Sequence, residues 1–196
     1  MILEGIMTTL GPEGSLNVAP MGPKVDAGMT RLLLRPFQTS TTYANLRRTG
    51  QGVFHVTDDV ELLAAAAIGT LEHDPPTIAA TAIEGRILTG CCRWYALRVR
   101  EIDDRQPRTE IVAEVVDQGF RREFFGFNRA KHAVLEAAIL ATRVHLLSAD
   151  HLHAELSRLR PLVQKTGGPP EERAFAMVER HIDARLGEDA TGSSDA

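Results

Sequence analysis

The sequence predicts a mainly β fold with helices: a β-barrel or antiparallel sheet over the first two-thirds, one or two inserted helices, and a helical region after it. Three observations carry this expectation. Strand-like runs punctuated by Gly and Pro recur as far as Phe120. "RWYALRVREIDD" and "RTEIVAEVVDQGF" alternate apolar and polar residues as the arms of a hairpin do. After Phe120 the apolar spacing becomes helical. The predicted organisation is a barrel over 1–120, helices packed on it over 121–187, and a disordered tail over 188–196, where "GEDATGSSDA" is small and polar. With 196 residues, 43% of them hydrophobic, the chain can supply a barrel with its own core, whose edges need closure or covering.

"ILEGIMTTL" alternates loosely, "GPEG" is a turn signal, and "SLNVAPMG" reads as the returning strand, ending at Pro20. "MTRLLLRPF" is a third strand, rich in leucine and stopped by Pro36. "STTYANLRRTG" has a hydroxyl N-cap, Tyr43 and Leu46 three apart, and a terminal glycine, and so predicts a short helix. "QGVFHVTDD" is the next strand, and Asp58 or Asp59 caps the Ala-rich helix "DDVELLAAAAIG". "TLEHDPPTIAATAIEGRILTG" is irregular and is followed by the alternating hairpin, which turns near Gln106–Pro107. "NRAKHAVLEAAILATRVHLL" predicts one long helix capped by Asn128, with Ala133, Val134, Ala137, Ala138, Ala141 and Val144 on its small-residue face. Ser148 caps a second helix ending at Gly167–Gly168, and Pro169–Pro170 opens a third.

Composition excludes some functions. A formal charge of −4 argues against a nucleic-acid binder, which normally carries a basic excess. No apolar stretch of membrane-spanning length lacks charge, and "MILEGIMTTL" has neither a basic start nor a cleavage site, so the expected location is the cytoplasm. Cys91 and Cys92 are adjacent and read as two reduced thiols in or beside a strand, with no metal-ligand spacing around them. His151 and His153 stand two apart, on different sides of a helix, and no metal is expected. The patterns GxSxG, GxxxxGK and GxGxxG are absent, and no catalytic residue can be nominated.

The stretch "RPFQTSTTYANL" is the strongest chemical feature. Thr39, Ser40, Thr41 and Thr42 precede or open a helix whose first N–H groups lack intrahelical partners, with the Arg35 guanidinium behind them. Such donors suit a phosphate, although an over-supplied N-cap with a solvated arginine would look the same. In "NVAPMG", Pro20 marks a sheet edge that could present backbone groups to a flat ligand, or simply a strand end. "FFGFNRAKHA" places Arg129, Lys131 and His132 in a first helical turn, where cations oppose the dipole. A nearby anion, or a carboxylate such as Glu123 or Glu136, would relieve that conflict.

"MILEGIMTT", "NVAPMG", "LRPFQTSTTYANLRRTG", "VFHVTDDV" and "FFGFNRAKHAVLEAAILATRVHLL" together resemble the domain-of-unknown-function family 447, within the flavin-binding split-barrel superfamily. The resemblance runs from Met1 to about Arg185. It implies a six-stranded split barrel, a homodimer, and FMN bound near the dimer interface. Carried onto this chain, it implies that Asn17, Val18, Ala19, Pro20 and Met21 line the flavin ring, largely through backbone atoms. Arg35, Thr39, Ser40, Thr41 and Thr42 would hold the phosphate, and His55, Val56 and Thr57 would lie close to the flavin. Asn128, Arg129 and His132 would add contacts from the same subunit or its partner. The implied activity is a flavin-dependent oxidoreductase of unknown substrate. The chain lacks the nicotinamide-facing C-terminal segment of the better-known reductases and carries three helices instead. The electron donor is therefore open, and a flavin carrier or sensing module with a partner-docking helical region is the alternative. A pyridoxal phosphate site is a further one, since sister families use the same barrel for it.

Overall fold

Gly5–Leu10 (β1) and Leu16–Met21 (β2) form the first hairpin, paired from Gly5↔Met21 to Leu10↔Leu16. Its turn explains "GPEG": Glu13 (φ 61) and Gly14 (φ 80) both lie in the left-handed region, which Gly adopts without strain. The computed structural model describes residues 1–192. Past Gly22–Pro23 the chain continues as Lys24–Val25 (β3), where an Ile2↔Lys24 bridge keeps the register of the hairpin. Leu3 N–H donates to Pro23 O (3.1 Å), and Val25 N–H to Met1 O (2.9 Å).

β3 also pairs with Arg31–Leu34 (β4), through Lys24↔Leu33 and Val25↔Leu32. Beyond β4 come Glu110–Phe120 (β9), Arg93–Asp103 (β8), Gln51–Val56 (β5) and β1 again, all antiparallel. The sheet therefore has seven strands in the order β2-β1-β5-β8-β9-β4-β3, not the six expected. The additional one is the two-residue β3, which continues the β2 ladder beyond a Gly-Pro bend. Because β3 bridges to Ile2, ahead of β1, and pairs with β4, the sheet curls toward closure as a split barrel and leaves β2 at its end. Register shifts at Ala96/Leu97 and Val99/Glu101 add the local twist that such closure needs.

The barrel interior is filled by Met7, Leu32, Leu34, Phe54, Leu97 and Ile111, each at most 1% exposed. Thr41–Thr49 (α1) completes it by sending in Tyr43 and Leu46, the apolar pair three residues apart. Each such side chain contributes about 1.5–3 kcal/mol on burial, so α1 belongs to the core and its N-terminus is held by packing. Gly50 (φ 66) ends α1 and hands the chain directly to β5. Thr77–Ala79 (β6) and Arg86–Leu88 (β7) make a small hairpin in the segment expected to be irregular. Three-residue strands are too short for alternation to reveal.

The chain divides into two compact units: Met1–Asp58 with His73–Phe124, and Asp59–Glu72 with everything from Phe125 onward. The second unit thus takes in Val60–Ile68 (α2), capped by Asp59, which accepts from Leu62 N–H at 3.0 Å. Arg129–Ala141 (α3) stops short of the long helix expected through Leu147, and a 3-10 turn over Val144–Leu146 follows. Its buried face is the small-residue stripe, Ala130, Ala133, Val134, Ala137, Ala138 and Ala141. Ala149–Thr166 (α4) carries Pro161 inside it, and Pro169–Gly192 (α5) is helical through residues 188–192, where a tail was expected. The rest of that tail, 193–196, lies outside the described residues. Among the described residues no helix is long and apolar enough to cross a membrane.

Candidate functional site

β4 ends at Arg35–Pro36, and proline disfavours a helical conformation for the residue before it, so Arg35 stays extended. The chain then turns into α1. Ser40 donates to Phe37 O from its backbone N–H (3.0 Å) and its hydroxyl (2.7 Å), and its Oγ accepts from Tyr43 N–H (3.2 Å) as the N-cap. The β8–β9 loop braces this turn from outside. Gln38 N–H donates to Pro107 O (2.9 Å), and Thr109 donates to Pro36 O from N–H (3.0 Å) and hydroxyl (2.8 Å). Tyr43 donates to Asp104 Oδ2 (2.7 Å), a bond that raises the phenol pKa.

The Arg35 side chain faces Glu110, with Nε 3.4 Å from Oε1, but both groups are part-exposed and the pair is screened. Among the described residues, Arg35 Nε is the one fully buried side-chain polar atom without a hydrogen bond. The Thr39 and Thr41 side chains are exposed. Thr42, by contrast, is buried, and its Oγ1 accepts from Asn17 Nδ2 at 3.1 Å. Asn17 Nδ2 also donates to Thr9 Oγ1 (3.0 Å), as does the buried Asn45 (3.0 Å). A buried polar node therefore joins β1, β2 and the first turn of α1. The sequence reading missed Thr9, Asn45 and Glu110.

Val18, Ala19, Pro20 and Met21 are half-buried along β2 and pair with Thr8, Met7, Ile6 and Gly5. β2 ends the strand order, and Pro20 sits on that end strand, as its missing N–H requires. The His55 side chain is engaged by the fold. It is fully buried, its Nδ1 lies 3.1 Å from Ile6 O, and its Nε2 accepts from Leu88 N–H at 3.1 Å. That arrangement fixes a neutral imidazole with the proton on Nδ1. Burial pushes its pKa from 6.5 down to about 4, against the opposing pull of the Ile6 carbonyl. Its side chain pins β1, β5 and β7 together and has no donor left for a flavin. Val56 is half-buried against the barrel core, and Val56 O accepts from Cys92 N–H (2.9 Å); Thr57 is half-buried at the strand end.

Near that end, Arg122 clamps three segments: Nε donates to Gly90 O (2.9 Å), Nη1 to Glu123 O (3.1 Å), and Nη2 to the buried Asp58 carboxylate. Cys91 and Cys92 are free and buried, and burial pushes the Cys91 thiol up to about 11, so neither serves as a ready nucleophile.

Asn128, Arg129 and His132 belong to the second unit. Asn128 caps α3, its Oδ1 accepting from Lys131 N–H (3.1 Å) and its Nδ2 donating to Thr166 O (2.9 Å). Arg129 and His132 are exposed, and the His132 ring stacks on Phe127 with 6.2 Å between centroids. The carboxylate answering the cationic turn is Glu171, which accepts from Lys131 Nζ (2.7 Å) and Gly168 N–H (2.9 Å). Burial pushes Glu171 up, but those donors outweigh it and hold the carboxyl below its usual range.

The Arg35–Thr42 turn meets the chemical needs of a phosphate monoester. It gathers a guanidinium whose buried Nε has only the 3.4 Å approach of Glu110, exposed hydroxyls, and the N-terminus of a packed helix whose Tyr43 N–H is capped by Ser40. No side chain of the first unit's candidate set is a competent acid or base near neutral pH, because His55 is locked neutral.

The family model described as "protein of unknown function (DUF447) N-terminal domain" matches residues 3–122, and the one described as "protein of unknown function (DUF447)" matches 128–180. Among solved structures, the chain resembles an FMN-bound protein of Methanosarcina mazei, itself assigned to DUF447, at TM-score 0.76 and 24% identity, covering 92% of this chain and 94% of that one. It also resembles flavoredoxin of Methanosarcina acetivorans (TM-score 0.54, 12% identity, 64% and 72% covered). A third likeness is to the 2-nitrobenzoate 2-nitroreductase of Pseudomonas fluorescens (TM-score 0.52, 16% identity, 60% and 64% covered). These likenesses establish the split-barrel fold. No curated protein matches by sequence.

Proposed function

This chain belongs to the DUF447 family, and from that premise we propose that it is an FMN-binding split-barrel protein that serves a flavin-dependent oxidoreduction in the cytoplasm. The observation that carries the reading is the turn into α1, where Arg35 Nε lies buried without a hydrogen bond beside a helix end fixed by core packing. The FMN-bound protein that shares this fold over most of both chains supports the identity of the ligand.

Arg35 and the first-turn N–H groups of α1 hold the phosphate, with the Thr41 and Thr42 hydroxyls completing its oxygens' hydrogen bonds. Ser40 acts mainly by capping the helix, since its hydroxyl already serves Phe37 and Tyr43. The end strand β2 offers Val18–Met21 backbone atoms to the flat ring. The flavin supplies the electron chemistry when bound, and the protein orients it and sets its hydrogen bonds. The exposed Phe120 and Phe124 of the first unit support a homodimer with the cofactor near the interface.

Titration of the flavin-free protein with FMN tests the reading: fluorescence quenching with micromolar affinity is expected, and none at that concentration refutes it. Bound flavin reduced rapidly by NADH or NADPH marks an oxidoreductase with that donor. Flavin that neither nucleotide reduces marks the carrier class or another donor. Light scattering of the eluted protein at twice the chain mass tests the dimer.

A further inference from the structure

We propose that Asn17 is a positioning residue that acts through Thr42, fixing the Thr42 hydroxyl as a hydrogen-bond donor toward the phosphate; the inference rests on the FMN reading above. Hydrogen-bond polarity carries it. A primary amide nitrogen has two hydrogens and no lone pair to offer, so it only donates. Asn17 Nδ2 directs them to Thr9 Oγ1 (3.0 Å) and Thr42 Oγ1 (3.1 Å). The Thr42 oxygen is thereby an acceptor toward Asn17, and its own proton has to point elsewhere.

The neighbours hold that polarity. Thr9 Oγ1 receives a second donor from Asn45 Nδ2 (3.0 Å), which fills both of its lone pairs. A hydroxyl filled in this way has no lone pair for a third donor, so Thr42's proton finds no acceptor on Thr9. Thr9, Asn45 and Thr42 are at most 3% exposed, and an unsatisfied alternative arrangement there would carry the cost of a buried unpaired group. Thr42 is the second residue of α1, in the turn whose backbone N–H groups face the same ligand. The residue placed on the ring side by motif order therefore acts at the phosphate end, and it ties β2 to α1.

The test uses flavin-free protein and two ligands that differ only in the phosphate, FMN and riboflavin, with affinities read by fluorescence quenching. Asn17→Ala is expected to weaken FMN about tenfold while riboflavin stays within about twofold. In a Thr42→Val background the same change is expected to add less than about twofold, since the hydroxyl it orients is gone. Thr42→Ser, which keeps the hydroxyl, restores the sensitivity to Asn17→Ala. Asn17→Asp is near-isosteric should the alanine variant not fold. Its carboxylate accepts the Thr42 proton, and the preference for FMN over riboflavin is expected to fall by at least tenfold. Equal weakening of both ligands, an Asn17 effect that persists without the Thr42 hydroxyl, or no effect would each overturn the inference. Failure of the wild-type protein to bind either flavin would instead overturn the cofactor reading itself.

Discussion

His55 makes the barrel's stability depend on pH in a window set by its burial. The perturbation is acid, applied to the flavin-free wild type and to a His55→Gln variant whose amide can still donate and accept. In the folded protein the imidazole holds Ile6 O and Leu88 N–H with both ring nitrogens and titrates at about 4, against 6.5 for an unhindered ring. Above pH 6.5 the ring is neutral in both folded and unfolded chains, and the full contribution of the site is present. Between 6.5 and 4 only the unfolded chain takes up the proton, so stability falls with pH by up to about 1.4 kcal/mol per unit. The total loss on reaching pH 4 is about 3 kcal/mol, an appreciable part of a domain's stability. Asp26 and Asp103, whose carboxyls are drawn down to about 2 by hydrogen bonds from Arg31 and from Arg105, lose their contributions only as pH falls below about 4. His181, depressed by burial, adds a loss of the same sign, but it is present in both proteins and cancels in the comparison. Urea unfolding at pH 7.5, 6.0, 5.0 and 4.5 gives the two curves. The difference in unfolding free energy between wild type and variant should shrink by about 2–3 kcal/mol across that range. Curves that stay parallel would show that His55 is charged or solvated in the folded barrel, and the reasoning would fail.

Three further outcomes follow from the same geometry. Arg35→Ala should weaken FMN binding by about 1.5–3 kcal/mol and leave riboflavin nearly unaffected, measured by flavin fluorescence; unchanged FMN affinity would place Arg35 outside the site. Phe54→Ala, which empties a fully buried position in the barrel, should cost about 3–5 kcal/mol in urea unfolding, whereas a loss under 1 kcal/mol would mean the interior collapses around the gap. Glu171→Ala leaves the mostly buried Lys131 ammonium without its carboxylate and Gly168 N–H without its acceptor. A loss of about 2–3 kcal/mol is expected in thermal or urea unfolding, and retention of full stability would mean water replaces the carboxylate.

What could be read from the sequence depended on how far along the chain each cause extended. The strands of the barrel were legible because alternation and Gly/Pro punctuation are local, and so was α1, whose cap, apolar pair and terminal glycine lie within eleven residues. The β6–β7 hairpin was not, since three residues carry no period, and neither was the early stop of α3 at Ala141, which no glycine or proline signals. The conflict at the start of α3 was visible as a run of cations, but its answer, Glu171, stands forty residues on and is brought there by α5. The same limit governed the candidate site. The Arg35–Thr42 turn is contiguous, and its cluster of hydrogen-bond donors could be read from residue types alone. His55 and Asn17 could not be assigned in that way, because a side chain's role follows from what faces it. For His55 those partners are Ile6 and Leu88, which spend both ring nitrogens on the fold. For Asn17 they are Thr9 and Thr42, which tie β2 to β1 and to the first turn of α1. Of these two polar residues, one is therefore consumed by the barrel interior and the other bridges two elements through hydroxyls.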